Sequence, residues 1–527
     1  MVSLIEELKL REAAAPAEAD RLRSLIKELS EDLARAEKQA AIWPTPSRLP
    51  GKGIMQQCRS KGKEGITLPH DIDGGNEGCQ ALRMRGQIRP MSAAPGKRRA
   101  VLIMAAAVAV LGALAVAGCG SPGSQSQSQP TQSQPTQPLT WTAAKAPLPA
   151  NAAPTAKQDS GLSGLTCPTA KDCIAEGFYQ TSKADYYYLT ETLSRGIWTP
   201  GAWSPTTAVI GFTCPAVGTC VAVGTFLDSK NHVTPAAETL SGGFWAGATL
   251  PLPAGTPPNP NNGQDYGLHA ASCPVVGTCV AVGTYQAADG TTQGLIETLS
   301  KGTWTAVRAP LPVDAKTSSK DQGNPLGLQG VTCPAAGYCV AIGQYEEQDG
   351  AFAPVIDTLS GGTWTAQRAP LPTGVAATLS DLQGVACRSA GDCVAVGQYV
   401  LKGGEESLID TLSGGRWTAA VGPLPADGQA KGQAAPLSSV ACSPADGCVA
   451  VGEYSTRNSL QGEGLIDTLS NGKWTAVRAP LPAGVTLGKK GYVTFTVVAC
   501  PAADRCIAVG YYSANETNRT AFIETGA

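Results

Sequence analysis

Beyond residue 138 the chain alternates short apolar runs with clusters of Gly, Ser and Pro, a rhythm that suits strands and tight turns better than helices. One unit recurs. It is clearest as Gly330-Val-Thr-Cys333-Pro-Ala-Ala-Gly-Tyr-Cys339-Val-Ala-Ile-Gly343, a variable stretch, then Val355-Ile-Asp-Thr-Leu-Ser-Gly-Gly-Thr-Trp364-Thr-Ala-Gln-Arg-Ala-Pro-Leu-Pro372. Four strand candidates lie in each unit: a short run ending at the first Cys, the Cys-Val-Ala-Val-Gly run, an Ile-Glu-Thr-Leu run, and the Trp-Thr-Ala run that ends in Ala-Pro. Cysteine pairs mark seven copies, 47 to 60 residues apart: Cys167/Cys173, Cys214/Cys220, Cys273/Cys279, Cys333/Cys339, Cys387/Cys393, Cys442/Cys448 and Cys500/Cys506. Four strands at this period predict a β-propeller blade.

The ends of the repeat point to a closed ring. Leu139 to Pro149 is an orphan fourth strand ahead of the first full unit, and the last unit stops at Phe522-Ile-Glu-Thr-Gly-Ala527, three strands in. The orphan would complete the last blade, so that neither edge stays free. Seven Trp strands (Trp141, Trp198, Trp245, Trp304, Trp364, Trp417, Trp474) then match seven cysteine pairs. The expectation over residues 139–527 is an all-β, seven-bladed β-propeller of four-stranded antiparallel blades.

Upstream, Lys97-Arg98-Arg99 precede an apolar run from Ala100 to Ala117 that ends Val116-Ala-Gly-Cys119 and is followed by polar residues. Residues 91–118 resemble a lipoprotein signal peptide. That resemblance implies a lipidated Cys119 as mature N-terminus and an extracytoplasmic protein anchored to the bacterial cell membrane. An uncleaved signal anchor is the competing reading. Residues 119–138, rich in Ser, Gln and Pro, are a linker reaching on the order of 25 Å. Residues 1–42 carry a helical pattern (Leu22, Leu25, Leu29, Leu33, Ala36) resembling the coiled-coil starts of small mobile-element proteins, and residues 43–90 have no periodicity. Met91 stands where a signal peptide would normally begin, so residues 1–90 are read as a doubtful preface with a mis-assigned start.

Charge and cysteine content narrow the function classes. With 40 Lys and Arg against 42 Asp and Glu, no basic surface invites nucleic acid. A Cys-x5-Cys across a tight hairpin puts two sulfurs opposite each other, so disulfides are expected, each contributing about 2 kcal/mol. Structural zinc would favour Cys-x2-Cys spacing and His partners, and no metal or other cofactor is called for.

Two rims follow from blade geometry. The Cys hairpins and Ser-Gly-Gly turns share a constant rim, whereas the opposite rim carries long connections that differ in every blade. Candidate ligand-binding residues on that variable rim are Tyr186, Tyr187, Tyr188, Tyr266, Phe352 and Tyr511, whose rings could stack on sugars or anchor a protein. A second ring holds one carboxylate per blade before Thr: Glu191, Glu238, Glu297, Asp357, Asp410, Asp467 and Glu524. Its regularity argues for a structural role over a catalytic pair or a cation ring, with Arg308, Arg368 and Arg478 as possible partners. His232 and His269, with a tyrosine, would be the minimum for a copper-oxidase site.

The Leu-Ser-Gly-Gly-x-Trp turns resemble the Asp-box turns of bacterial neuraminidase repeats, found in sialidases and photosystem assembly-factor-like propellers. Gly361, Gly414 or Lys301 stands where those turns carry Asp. The resemblance implies the propeller architecture and raises a secreted, sialidase-like glycan hydrolase as the alternative function. That activity would need an arginine cluster, a Tyr/Glu nucleophile pair and a further acid, which the motifs do not assemble. The favoured function is non-enzymatic recognition of a protein or cell-envelope glycan by a membrane-tethered scaffold, with membrane contact through the lipid anchor and no nucleic-acid partner.

Overall fold

The computed structural model describes Lys27 and residues 139–527, apart from 155–157, 204, 206, 228–231, 257–258, 261–266, 317–326, 429–433, 444–446, 457–458 and 516–517. The expected signal peptide, Cys119, the expected linker and all of the doubtful preface but Lys27 therefore lie outside the described residues, as does Tyr266.

From Trp141 onward every element is a strand or a turn. In blade 4, the most regular unit, Gly327–Ala335, Tyr338–Glu346, Phe352–Ser360 and Thr363–Arg368 pair antiparallel in chain order. The other units repeat this meander, and a parallel bridge from Phe352 to Leu379 links the sheets of blades 4 and 5. The first strands of the blades are Ser160–Thr166, Ala208–Ala216, Gly267–Val275, Gly327–Ala335, Leu379–Ser389, Leu437–Cys442 and Tyr492–Ala502. Each touches the first strand of the next blade, and the last touches the first, so seven blades form a ring with these strands innermost.

The closing blade takes its outer strand from the start of the domain. Trp141–Lys145 runs antiparallel to Thr520–Gly526, from Trp141 opposite Gly526 to Lys145 opposite Phe522, and backbone bonds between Thr140 and Ala527 extend the pairing. The orphan strand thus occupies the place foreseen for it.

All seven cysteine pairs are disulfides that staple the first hairpin of each blade, with Cα atoms 4.0–4.1 Å apart. Their placement also gives them a role in packing. The second cysteine of every pair, Cys173, Cys220, Cys279, Cys339, Cys393, Cys448 and Cys506, is almost completely buried. The reason is its position near the start of the second strand, which neighbouring blades cover on both faces, so its sulfur packs as a small apolar group in the interblade core. The first cysteines Cys167, Cys387 and Cys442, at the ends of the inner strands, are only half-buried. Each bridge therefore closes a loop and fills a core position at once.

Local chemistry explains why each unit folds this way. The second strand is buried on both faces because it is sandwiched between neighbouring blades, so Val340, Ala341 and Ile342 can all be apolar. The glycine ending that run (Gly177, Gly224, Gly283, Gly343, Gly397, Gly452, Gly510) faces the inner strand so closely that a Cβ would collide with a backbone carbonyl in every blade. In the Ser-Gly-Gly turns both central residues take positive φ, 59° and 82° at Gly361 and Gly362, the geometry of a type I′ hairpin. The core lies between blades rather than inside them. Val280, Val282 and Ile296 of blade 3 meet Cys339, Ala341 and Val355 of blade 4, and Ile507, Val509 and Ile523 of blade 7 meet Leu162, Ala175 and Leu189 of blade 1.

One irregularity recurs seven times. Each inner strand carries a bulge, which leaves Ser163, Ile210, His269, Gln329, Gln383, Ser438 and Thr496 out of register. Two of these side chains latch onto the next blade: His269 Nδ1 lies 3.0 Å from the Leu328 carbonyl, and the Thr496 hydroxyl donates to the Leu162 carbonyl at 2.9 Å.

Candidate functional site

Among the described residues, the variable rim gathers an ion pair and four aromatic rings at the seam between blades 7 and 1. Asp159 precedes the inner strand of blade 1, and Arg519 precedes the third strand of blade 7. Across that seam Arg519 Nε and Nη2 donate to the two Asp159 oxygens at 2.9 Å each, and the Arg519 backbone N–H adds a third bond at 3.2 Å. The Tyr186 hydroxyl donates to Asp159 Oδ2 at 2.9 Å. The guanidinium lies 4.5 Å from the Phe178 ring centre and 5.6 Å from that of Tyr511, two cation–π contacts each typically worth about 1 kcal/mol. Tyr186 packs on Phe178 and Tyr492 packs edge-on against Tyr511, so four rings surround one ion pair.

Electrostatics at the seam follow from these contacts. Burial would raise the Asp159 carboxyl, but the Arg519 and Tyr186 hydrogen bonds outweigh it and hold it below the usual range. Burial and the Asp159 bond push the Tyr186 phenol up. Asp159 is therefore an ionised, saturated anchor rather than a free base. What faces solvent is aromatic: Tyr186 is 52% exposed and Tyr187 43%.

Glycine makes room for the cluster. Gly161, on the inner strand beneath it, would carry its Cβ into the rings of Phe178 and Tyr511. Phe178 and Tyr511 occupy the position just after the recurrent glycine, where blades 2 to 6 carry Thr225, Thr284, Gln344, Gln398 and Glu453. Two aromatic substitutions thus meet only because the ring closes.

The predicted residues divide accordingly. Tyr186 and Tyr511 join in the seam cluster, and Tyr187 stands beside it against Tyr179. Tyr188 points elsewhere: it is half-buried between blades 1 and 2, edge-on to Trp203, which in turn stacks on Trp245 of blade 2 at 4.6 Å. Phe352 lies at the junction of blades 4 and 5, with its backbone N–H donating to Thr378 and its carbonyl accepting from the Ser380 hydroxyl. Phe178 and Arg519 bound the variable connections 178–188 and 511–519 without standing out as ligand-binding residues, and Asp159 escaped the sequence reading altogether, because it lies 360 positions from Arg519.

The second ring is structural in placement. All seven carboxylates are buried, and both oxygens of Glu191, Glu297, Asp357, Asp410, Asp467 and Glu524 lack a hydrogen-bond partner. Glu238 accepts from the backbone N–H and hydroxyl of Thr207, which leads into the same blade. A methyl added at Gly422 of blade 5 would sit 3.3 Å from Asp467 Oδ2 of blade 6, which places that group between blades. Burial alone pushes Glu191, Glu297 and Asp410 up to about 8 and Glu524 to about 9, with Asp357 and Asp467 also well above the ordinary range. Two of the three candidate arginines serve other partners: Arg368 pairs with Glu347 at 2.9 Å and Arg478 with Glu463 at 2.8 Å. Among the described residues no three or more His, Cys, Asp or Glu side chains gather to hold a metal.

Glu176 is the exception within the repeat. It sits where the other blades have Val223, Val282, Ile342, Val396, Val451 and Val509, it is buried, and the Ser163 hydroxyl donates to it at 3.0 Å. Burial raises it to about 7 despite that bond.

No family model matches the chain, and no curated protein does. Among solved structures it is similar to a protein of unknown function from Dyadobacter fermentans (11% identity, 73% of this chain and 97% of that one, TM-score 0.38). It is also similar to the N11 neuraminidase-like protein of a flat-faced bat influenza A virus (12%, 64% and 95%, TM-score 0.35) and to a Hadza microbial sialidase (11%, 67% and 74%, TM-score 0.33). The propeller assignment rests on the strand pairing and ring order of this chain.

Proposed function

We propose that the protein is a non-enzymatic binding propeller, tethered outside the bacterial cytoplasmic membrane through Cys119, whose ligand seats on the variable rim at the seam of blades 7 and 1. The observation that carries this reading is the aromatic cluster of Phe178, Tyr186, Tyr492 and Tyr511 held in place by the Arg519–Asp159 pair. Rigid rings on a closed scaffold bind at low entropic cost, and polar atoms at their edges match the alternating apolar faces and hydroxyls of a sugar. A cell-envelope glycan is the ligand this chemistry suits best. Hydrolysis fits less well. Asp159 is saturated by its partners, and Arg519 is the one arginine of the cluster, where a sialidase-like centre would need several.

The test is binding of the mature chain to isolated cell-envelope glycan, with Y186A/Y511A as the variant. Tyr188 stays intact, since its removal would unpack blades 1 and 2. Saturable binding lost in the variant supports the seam as a glycan site. Equal binding by both proteins refutes that location, and no binding by either turns recognition toward a protein partner. Release of free sugar by the wild type would establish the hydrolase alternative.

A further inference from the structure

The constant rim is uniform in backbone but not in surface. At its turns Ile197 is 68% exposed, Val217 62%, Phe244 60%, Val275 51% and Val276 58%. All five lie in blades 1, 2 and 3. At the same positions the other described turns carry Thr363, Arg416 and Lys473 after the Ser-Gly-Gly hairpins, and Ala336, Ala390 and Ala503 in the cysteine hairpins. Nothing in the repeat demands large apolar side chains there, since Thr303 and Thr363 fill the Ile197 and Phe244 position within the same turn. Exposed Lys171, Arg195 and Lys301 flank the apolar residues on this rim.

The point where the chain enters the ring lies on that rim. In each complete blade the Trp strand starts directly after the Ser-Gly-Gly turn, as Ser470 opposite Lys473 and Leu469 opposite Trp474 show. Trp141 begins the equivalent strand of blade 7 opposite Gly526, so Leu139, where the described domain begins, lies at the constant rim. About twenty linker residues separate that point from Cys119 and reach on the order of 25 Å.

We propose that the constant rim of blades 1 to 3 is a membrane-seating face, occupied by the surface of the lipid bilayer to which Cys119 tethers the domain. This rests on the lipid-anchor reading. Apolar side chains on rigid turns enter the headgroup boundary while neighbouring cations meet anionic lipid. A short tether keeps the local lipid concentration high, so five side chains suffice where they would be weak alone. Seating by this rim turns the variable rim, with its Tyr186–Tyr511 seam, away from the bilayer and toward the envelope.

The experiment uses the mature, lipid-bearing protein on vesicles of phosphatidylethanolamine and phosphatidylglycerol with brominated acyl chains. Sedimentation reads the anchor; bromine quenching of tryptophan emission reads seating, because Trp198 and Trp245 follow Ile197 and Phe244 directly. The variant I197T/V217A/F244T/V276A copies the residues of blade 4 and is expected to melt like the wild type. It should sediment equally well and lose at least roughly half of the quenching. Sedimentation without quenching in the wild type, or equal quenching in both proteins, overturns the seating face while leaving the anchor intact. A wild type that stays in the supernatant overturns both. A wild-type dimer that the variant disperses, with no quenching in either, assigns the face to a second copy instead.

Discussion

Blades 1 and 4 share strand order, disulfide and buried carboxylate, yet they diverge wherever the repeat does not enforce a residue. Blade 4 carries Ile342 and Gln344 on its second strand, where blade 1 carries Glu176 and Phe178. Its outer strand reads Thr-Trp-Thr-Ala-Gln-Arg; that of blade 1 reads Ile-Trp-Thr-Pro-Gly-Ala-Trp. The glycine between the differing positions is the same in both, because the inner strand leaves no space for a Cβ. Sevenfold constraints thus fix the scaffold, and singular residues collect on blade 1, at its seam with blade 7 and at its junction with blade 2. Blade 4 shows what stability asks of the repeat; blade 1 shows what was added to it.

The sharpest way to break this comparison is to reopen the ring. Deleting Leu139–Pro149 removes the outer strand of blade 7, and should lower the melting temperature by more than about 10 °C or abolish cooperative unfolding. A melt unchanged by the deletion would show that the closing strand is dispensable.

Second in size is the pH dependence of the interblade carboxylates. Their folded-state values lie near 8 or above, against about 4.5 for an unfolded Glu, so both states hold the proton in acid and only the folded state holds it between these limits. Their contribution to stability should be greatest below about pH 4.5, fall as pH rises toward 8, and level off beyond. E297Q keeps the shape and removes the titration. Its melting should match the wild type at pH 4.5 and exceed it at pH 9 by on the order of 4 kcal/mol. Equal pH slopes for the two proteins would remove Glu297 from the account.

The cysteine hairpins should show no such asymmetry. C333A/C339A in blade 4 and C167A/C173A in blade 1 should each cost about 2 kcal/mol in chemical denaturation, since both close the same short loop and bury the second sulfur alike. A blade 1 loss much larger than that of blade 4 would mean that the disulfide also positions the seam.

The smallest effect sharpens the comparison most. E176V gives blade 1 the residue of blades 2, 3, 5, 6 and 7. It should leave stability nearly unchanged at pH 4.5 and raise it by about 1–2 kcal/mol at pH 6, because burial holds the Glu176 carboxyl near 7 while the unfolded chain has already lost that proton. A destabilising E176V at pH 6 would assign the Ser163–Glu176 bond a structural role.

Much of this architecture was legible before any coordinate. Cys-x5-Cys spacing marked the hairpins, and the unmatched Trp141 strand with the truncated last unit foretold the closure, because both are local patterns repeated in register. Spacing alone could not tell that Cys173 and its six counterparts are core residues, since their burial comes from the adjoining blades. The seam was half legible. Tyr186 and Tyr511 stood out as loop aromatics, but Tyr186 and Tyr188, two apart on one strand, share a face by alternation and yet meet different partners, Asp159 and Trp203, which spacing alone does not show. Arg519 and Asp159 carried no local signal. Aligning the position after each recurrent glycine would have flagged Phe178 and Tyr511 together. The buried carboxylates were seen as a ring, but their isolation between blades, away from Arg368 and Arg478, depends on packing that no single unit encodes.

The pairing of Trp141–Lys145 with Thr520–Gly526 also governs when this domain can finish folding. A chain made from its N-terminus holds its first strand unpaired while some 370 residues of later sequence appear, and any product cut short before residue 520 leaves that strand and the rim of blade 7 exposed to proteases. Completed synthesis is therefore read out by a single hydrogen-bonded joint, and the same joint makes the ring indifferent to where it is cut: linking residues 139 and 527 and opening the chain within another variable connection should return the same seven blades in rotated order.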